Sequence, residues 1–117
     1  MNPPKMPIHI GDYKRDTGHL YAAEHGAYLL LIMHYWQTGS LPKSEAALAR
    51  IARMRVEHWR KTAIVLREFF DTSWKHKRVE QELAETVELL EKRAKAGKAG
   101  ASVRWGKRNA DVIAIAS

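Results

Sequence analysis

The stretch SEAALARIARMRVEHWRKTAIVLREFF, residues 44–70, decides the fold. Leu48, Ile51 and Ala52 fall at helical spacing and give a buried face to a helix over about residues 44–53. Val56, Trp59, Ala63, Leu66 and Phe70 do the same for a second helix over about 56–69. Roughly Met54-Arg55 is all that separates them. Two helices joined by so short a turn read as a helix-turn-helix.

Upstream, a helix is expected over about 21–38. Tyr28, Leu31, Ile32 and Tyr35 share one face, and Leu29, Leu30, Met33 and Trp36 add apolar surface around most of the rest. A helix apolar all round is a buried central one, and Gly39 suits its left-handed cap. His34, inside it, reads as a hydrogen-bonded core histidine. Residues 1–11 read as an extended entry, and Asp12 to Asp16 as one helical turn. Downstream, Phe69-Phe70, the polar cluster Asp71-Thr72-Ser73 and the basic run Trp74 to Val79 read as a two-stranded hairpin over about 69–78. A last helix follows over about 80–96, with Val79, Leu83, Val87, Leu90 and Ala94 on one seam. The expected fold is therefore mainly α: a winged helix-turn-helix with a small β-hairpin and a long C-terminal helix, filling residues 1–96. Gly97, Gly100 and Gly106 punctuate a basic stretch, so 97–117 is expected to be a flexible basic tail.

At 117 residues the chain suits one domain with one modest core. It contains no cysteine, which excludes a disulfide scaffold, cysteine-ligated metal and a thiol nucleophile. The longest apolar run, Ala27 to Met33, is far short of the roughly 20 residues that span a bilayer. Met1 to Lys5 has no hydrophobic run behind it and is not read as a secretory signal. A cytoplasmic protein without membrane contact is expected.

The net charge of +7 is unevenly spread. Residues 1–41 sum to zero. Residues 42–78 carry ten bases and four acids. Residues 79–91 carry five glutamates and no base. Residues 92–117 carry seven bases and Asp111. Basic blocks of this kind point to an anionic partner, nucleic acid first. The candidate DNA contacts are Lys43, Arg50, Arg53, Arg55, Arg60, Lys61, Arg67, Lys75, Lys77 and Arg78. The second helix of a helix-turn-helix enters the major groove. Its outward face here also carries Glu57, Glu68 and Ile64, so the bases read as phosphate-positioning groups rather than base readers. Lys98, Arg104, Trp105, Lys107 and Arg108 are candidate contacts to single strands, with Trp105 stacking on a base. Ile64 and Val65 suggest a rival use, contact with a second copy or a partner protein. No pair of the six histidines is spaced i, i+4, and no nucleophile-elbow or phosphate-loop pattern occurs. No enzyme activity, metal or cofactor is expected.

Several motifs carry a resemblance. They are Gly11-Asp12-Tyr13 with Asp16-Thr17, Glu24 to Leu29, His34-Tyr35-Trp36 with Leu41-Pro42, and Ala47 to Ile51 with Trp59. Trp74 to Arg78, Gly97-Lys98, Gly100-Ala101 and Arg104-Trp105 complete them. Over about residues 6–106 the sequence resembles the YdaU-like family of small phage- and prophage-encoded proteins. The resemblance implies a phage-derived winged-helix domain, similar to the N-terminal domains of replication-initiation proteins, and together with the basic blocks the expectation is a non-catalytic DNA-binding protein. The readings beside it are a module recruiting a replicative helicase or loader, and a transcriptional regulator. Tyr21 and Arg55 depart from the pattern, since each stands where a small capping residue is expected. A lost cap costs about 1 kcal/mol, and a phosphate at Arg55 in the bound state is the expected reason for the cation there.

Overall fold

A computed structural model describes the backbone of residues 2–116 and the side chains of residues 2–98. Five helices run in order: α1 (Ile10–Thr17), α2 (Ala22–Thr38), α3 (Glu45–Ile51), α4 (Val56–Leu66) and α5 (Lys77–Ala116). A single 3-10 turn, Arg67–Phe69, follows α4. The chain divides into two units, residues 1–84 and 85–117.

In the first unit α3 and α4 pack on each other and on α2. The core is aromatic and aliphatic: Leu31, Tyr35 and Trp36 from α2, Leu48 and Ala49 from α3, Trp59 and Leu66 from α4, with Val79 and Leu83 from the start of α5. The expected face of α2 is buried. Its far side is not, because Met33 is exposed and Leu29 and Leu30 are half-buried. The C-terminal end of α2 is closed twice. Gly39 takes a left-handed conformation (φ 89°) and donates its N–H to the Tyr35 carbonyl at 2.7 Å. The extended N-terminal segment then covers two further carbonyls. Asn2 donates to the carbonyls of Trp36 and Gln37, and the Trp36 indole donates to the Pro3 carbonyl at 2.9 Å.

No strand occurs among the described residues, so the expected hairpin over 69–78 is corrected to a knotted turn. The Asp71 carboxylate accepts from the N–H groups of Ser73 and Lys75 at 2.8 and 2.9 Å. The Asp71 N–H donates to the Lys75 carbonyl, and the Trp74 N–H to the Asp71 carbonyl. These bonds take up the backbone groups that a two-stranded ladder would need. Trp74 sits at φ 57°, outside any strand conformation. The described residues are therefore mainly helical, with no strand to form the expected wing.

Helix α5 starts at Lys77, three residues earlier than expected, because His76 caps it. The His76 Nδ1 accepts from the Val79 N–H at 3.2 Å, and its carbonyl accepts from the Glu80 N–H. The helix also runs past the boundary expected at Ala96, continuing as helix to Ala116. The reason is compositional: Gly97 and Gly100 sit among alanine and lysine and Gly106 stands alone between Trp105 and Lys107, and one glycine costs a helix only about 1 kcal/mol. The second unit is the part of this helix from Glu85 onward, where Glu88 pairs with Lys92 at 3.1 Å.

The turn between α3 and α4 is built against local preference. The Met54 N–H donates to the Ala49 carbonyl and the Arg53 N–H to the Arg50 carbonyl, the paired bonds of a Schellman motif. The left-handed residue of that motif, usually glycine, is Arg53 (φ 58°). A side chain there costs roughly 1–2 kcal/mol, less glycine's own entropic cost. Arg53→Gly should therefore stabilise the protein by about 0.5–1 kcal/mol, measured as a raised urea midpoint at unchanged slope. A lowered midpoint would contradict this account of the turn.

Candidate nucleic-acid interface and an aromatic cleft

Ser44 opens α3 by accepting the Ala47 N–H on its hydroxyl. Arg50 lies in the last turn of α3. Arg53 and Arg55 occupy the turn, Arg55 as the residue before α4, with no side-chain cap bond. A helix N-terminus holds unpaired N–H groups and the positive end of the dipole. A cation at that position is disfavoured unless an anion joins it.

The ten expected DNA contacts separate into two groups. Three are committed within the protein. Arg60 pairs with Glu45 at 3.3 Å, tying α4 to the start of α3. Arg67 lies 4.1 Å over the Trp74 ring and donates to the carbonyls of Asp71 and Thr72. Arg78 is held by Asp12 at 3.2 Å, Asp16 at 3.7 Å and Glu82 at 3.0 Å. Its hydrogen bond to Glu82 raises its proton affinity further. The other seven, Lys43, Arg50, Arg53, Arg55, Lys61, Lys75 and Lys77, are exposed. Among the described residues none of them forms an ion pair. Lys75 and Lys77 flank the Asp71 turn and the start of α5, whereas Arg50, Arg53 and Arg55 fall within six residues at the α3–α4 turn. The N–H groups of Lys75 and Ser73 hold the Asp71 carboxyl below its usual range.

The outward face of α4 is mixed, as expected. Glu57, Arg60, Lys61 and Ile64 are exposed, Ile64 to 77%, and Val65 is half-buried. Glu68, beyond α4, hydrogen-bonds His19, which stacks on Phe69. Of the tail candidates Lys98 is exposed, and the side chains of Arg104, Trp105, Lys107 and Arg108 lie outside the described residues.

A cleft of about 560 Å³ opens in the same unit. Its walls include Met6 to His9, Tyr13, Asp16, Tyr28, Phe69, His76 and Arg78. Tyr13, Tyr28 and Phe69 stack in a column, with centroids 6.0 and 4.6 Å apart. The buried histidine is His76, 8% exposed. His34, expected in that role, is half-buried with no side-chain hydrogen bond shown, because the apolar surface around it is only partly covered. Since His76 Nδ1 accepts a backbone N–H, its proton sits on Nε2 and is donated to the Tyr28 hydroxyl at 2.8 Å. Burial lowers the His76 pKa and keeps the ring neutral. Tyr35, two turns along α2, donates to Glu80 at 2.5 Å and accepts from the His76 N–H. Burial raises the pKa of Tyr13, Tyr28 and Tyr35 above the ordinary tyrosine value. Both ring nitrogens of His76 are thus occupied in joining α2 to α5, and the residue positions structure rather than a proton for transfer. Sequence reasoning missed it because histidine is an uncommon cap; its place immediately before the Val79–Leu83 seam was the available signal. Among the described residues no group of three or more histidine or acidic side chains is placed to hold a metal ion. No helix there is long and apolar enough to cross a membrane.

Residues 4–84 match the protein family described as "Protein of unknown function (DUF1376)", and the chain belongs to that family. It is 47% identical over 113 residues to the "Uncharacterized protein YdaU" of Escherichia coli (strain K12). That match covers 93% of this chain and 39% of the relative, so the chain spans about two fifths of the relative's length. No solved structure matches the chain significantly.

The state of His76 sets a pH dependence. The unfolded ring takes a proton near its ordinary value of 6.5, whereas the buried ring resists until lower pH. Protons therefore favour the unfolded chain, and this contribution to stability is complete above 6.5 and lost as pH falls through the lower folded value. His76→Asn keeps a capping acceptor but cannot titrate. Urea midpoints between about pH 5 and about pH 8 should fall more steeply on acidification in the natural protein than in His76→Asn. Equal slopes would contradict a buried neutral His76.

Proposed function

We propose that this chain is a non-catalytic DNA-binding module that docks duplex through the α3–α4 turn and the start of α4. One observation carries the reading. Within one short turn, two positions where local physics favours a small residue both hold arginine. Arg53 takes a left-handed conformation that suits glycine, and Arg55 stands before α4 where a serine or aspartate would cap it. Both side chains are exposed. A phosphate at the α4 N-terminus would offset both costs, since it accepts the free N–H groups and pairs with the guanidinium groups. Arg50, Lys43 and Lys61 extend the same positive surface. Glu57 in the first turn of α4 limits the face to phosphate positioning, so weak sequence preference is expected.

The proposed setting is replication initiation in a phage or prophage, a reading that rests on the family resemblance. Exposed Ile64 supports a second reading, an adaptor that recruits a helicase or loader through α4 and touches DNA weakly. Salt separates the two. Five phosphate contacts give a slope of about −4.5 for log affinity against log salt, measured by fluorescence anisotropy on a labelled duplex. An adaptor shows almost no slope, and that outcome would sink the DNA reading.

Arg55→Ser should stabilise the free protein by about 1 kcal/mol through the restored cap. It should also weaken duplex binding and reduce the salt slope by about one. Unchanged affinity would remove Arg55 from the interface.

A further inference from the structure

Among the described residues the second unit, from Glu85 onward, is helix alone. The seam that Val79 and Leu83 begin in the core continues through Val87, Leu90 and Ala94 at spacings of 3 and 4. Val87 is half-buried, but Leu90 is 41% and its neighbour Leu89 47% exposed. Helices of this kind gain most of their stability from packing an apolar face. The charges along the same helix are segregated. Residues 79–91 carry five glutamates and no base, and residues 92–117 carry seven bases and one acid.

We infer that α5 self-associates with the α5 of a second copy in antiparallel orientation. The Val87–Leu90–Ala94 seam would be buried, and Glu85, Glu88 and Glu91 of each chain would lie along Lys92, Lys95 and Lys98 of the other. The charge order chooses both the occupant and the direction. A parallel pair sets glutamates beside glutamates and bases beside bases, which repels along the whole contact. An antiparallel pair sets opposite charges together at both ends. The partner need not be foreign, since each helix carries both halves of the match. In this arrangement Lys92, Lys95 and Lys98 face carboxylates rather than nucleic acid.

The test uses the full-length chain and three charge variants. The first reverses the acids (Glu85→Lys, Glu88→Lys, Glu91→Lys). The second reverses the bases (Lys92→Glu, Lys95→Glu, Lys98→Glu). The third combines both and restores the natural net charge. Mass is measured by light scattering and sedimentation, with circular dichroism to compare helix content. The natural chain should run at twice its 13.4 kDa mass, with a dissociation constant rising roughly tenfold between about 0.05 and about 0.5 M salt. Each single-block variant should be monomeric, and the combined variant dimeric again. A monomeric natural chain would overturn the inference. So would a dimer that high salt strengthens, or single-block variants that dimerise as well as the natural chain.

Discussion

A neutral, buried histidine fixes how the first unit closes. His76 ends the Asp71 turn, caps α5 through Nδ1 and reaches Tyr28 through Nε2, while its N–H meets the Tyr35 hydroxyl. Tyr28 and Tyr35 lie two turns apart on one face of α2, so the link holds α5 along the central helix rather than at one point. Arg78, the second residue of α5, adds the contact to α1 through Asp12 and Asp16. A charged ring at position 76 would lose its acceptor role at Nδ1 and bury an unpaired cation, so the arrangement requires the neutral form.

With the central helix held on that side, α3 and α4 are free to present their turn on the surface. That turn is where local preference is violated most. A stable free protein would favour glycine at 53 and a capping residue at 55. Arginine at both places concentrates positive charge at the end of α4, where phosphate is best received. Arg60, Arg67 and Arg78 show the other use of arginine, since each is occupied by carboxylates, carbonyls or an aromatic ring inside the fold.

Much of the architecture was legible in the sequence. The 3.6-residue period of α2 placed Tyr28, Leu31, Ile32 and Tyr35 correctly in the core, and Gly39 marked its end. The α3 and α4 pair followed from Leu48 and Trp59 with one short turn between. The hairpin failed because Asp71 has two readings. A polar cluster between aromatic residues signals a strand turn, but its carboxylate here closes on Ser73 and Lys75 and consumes the ladder groups. The buried histidine was misplaced because position 34 sits within apolar sequence, whereas position 76 is surrounded by lysines and becomes buried only through tertiary contact. The candidate site was legible as a set of bases, but not which were committed. Glu82 is one turn from Arg78 on the same helix, but Asp12 and Asp16 lie more than sixty residues away on α1, and only folding brings them to Arg78.

Nucleic acid is proposed to meet this protein at the α3–α4 turn. Backbone amide NMR of the labelled chain, titrated with a short duplex, tests it most directly. Shifts concentrated on residues 50–61 and suppressed by added salt are the expected result. Shifts centred on the cleft around Tyr28 and His76, or no shifts at low salt, would contradict it.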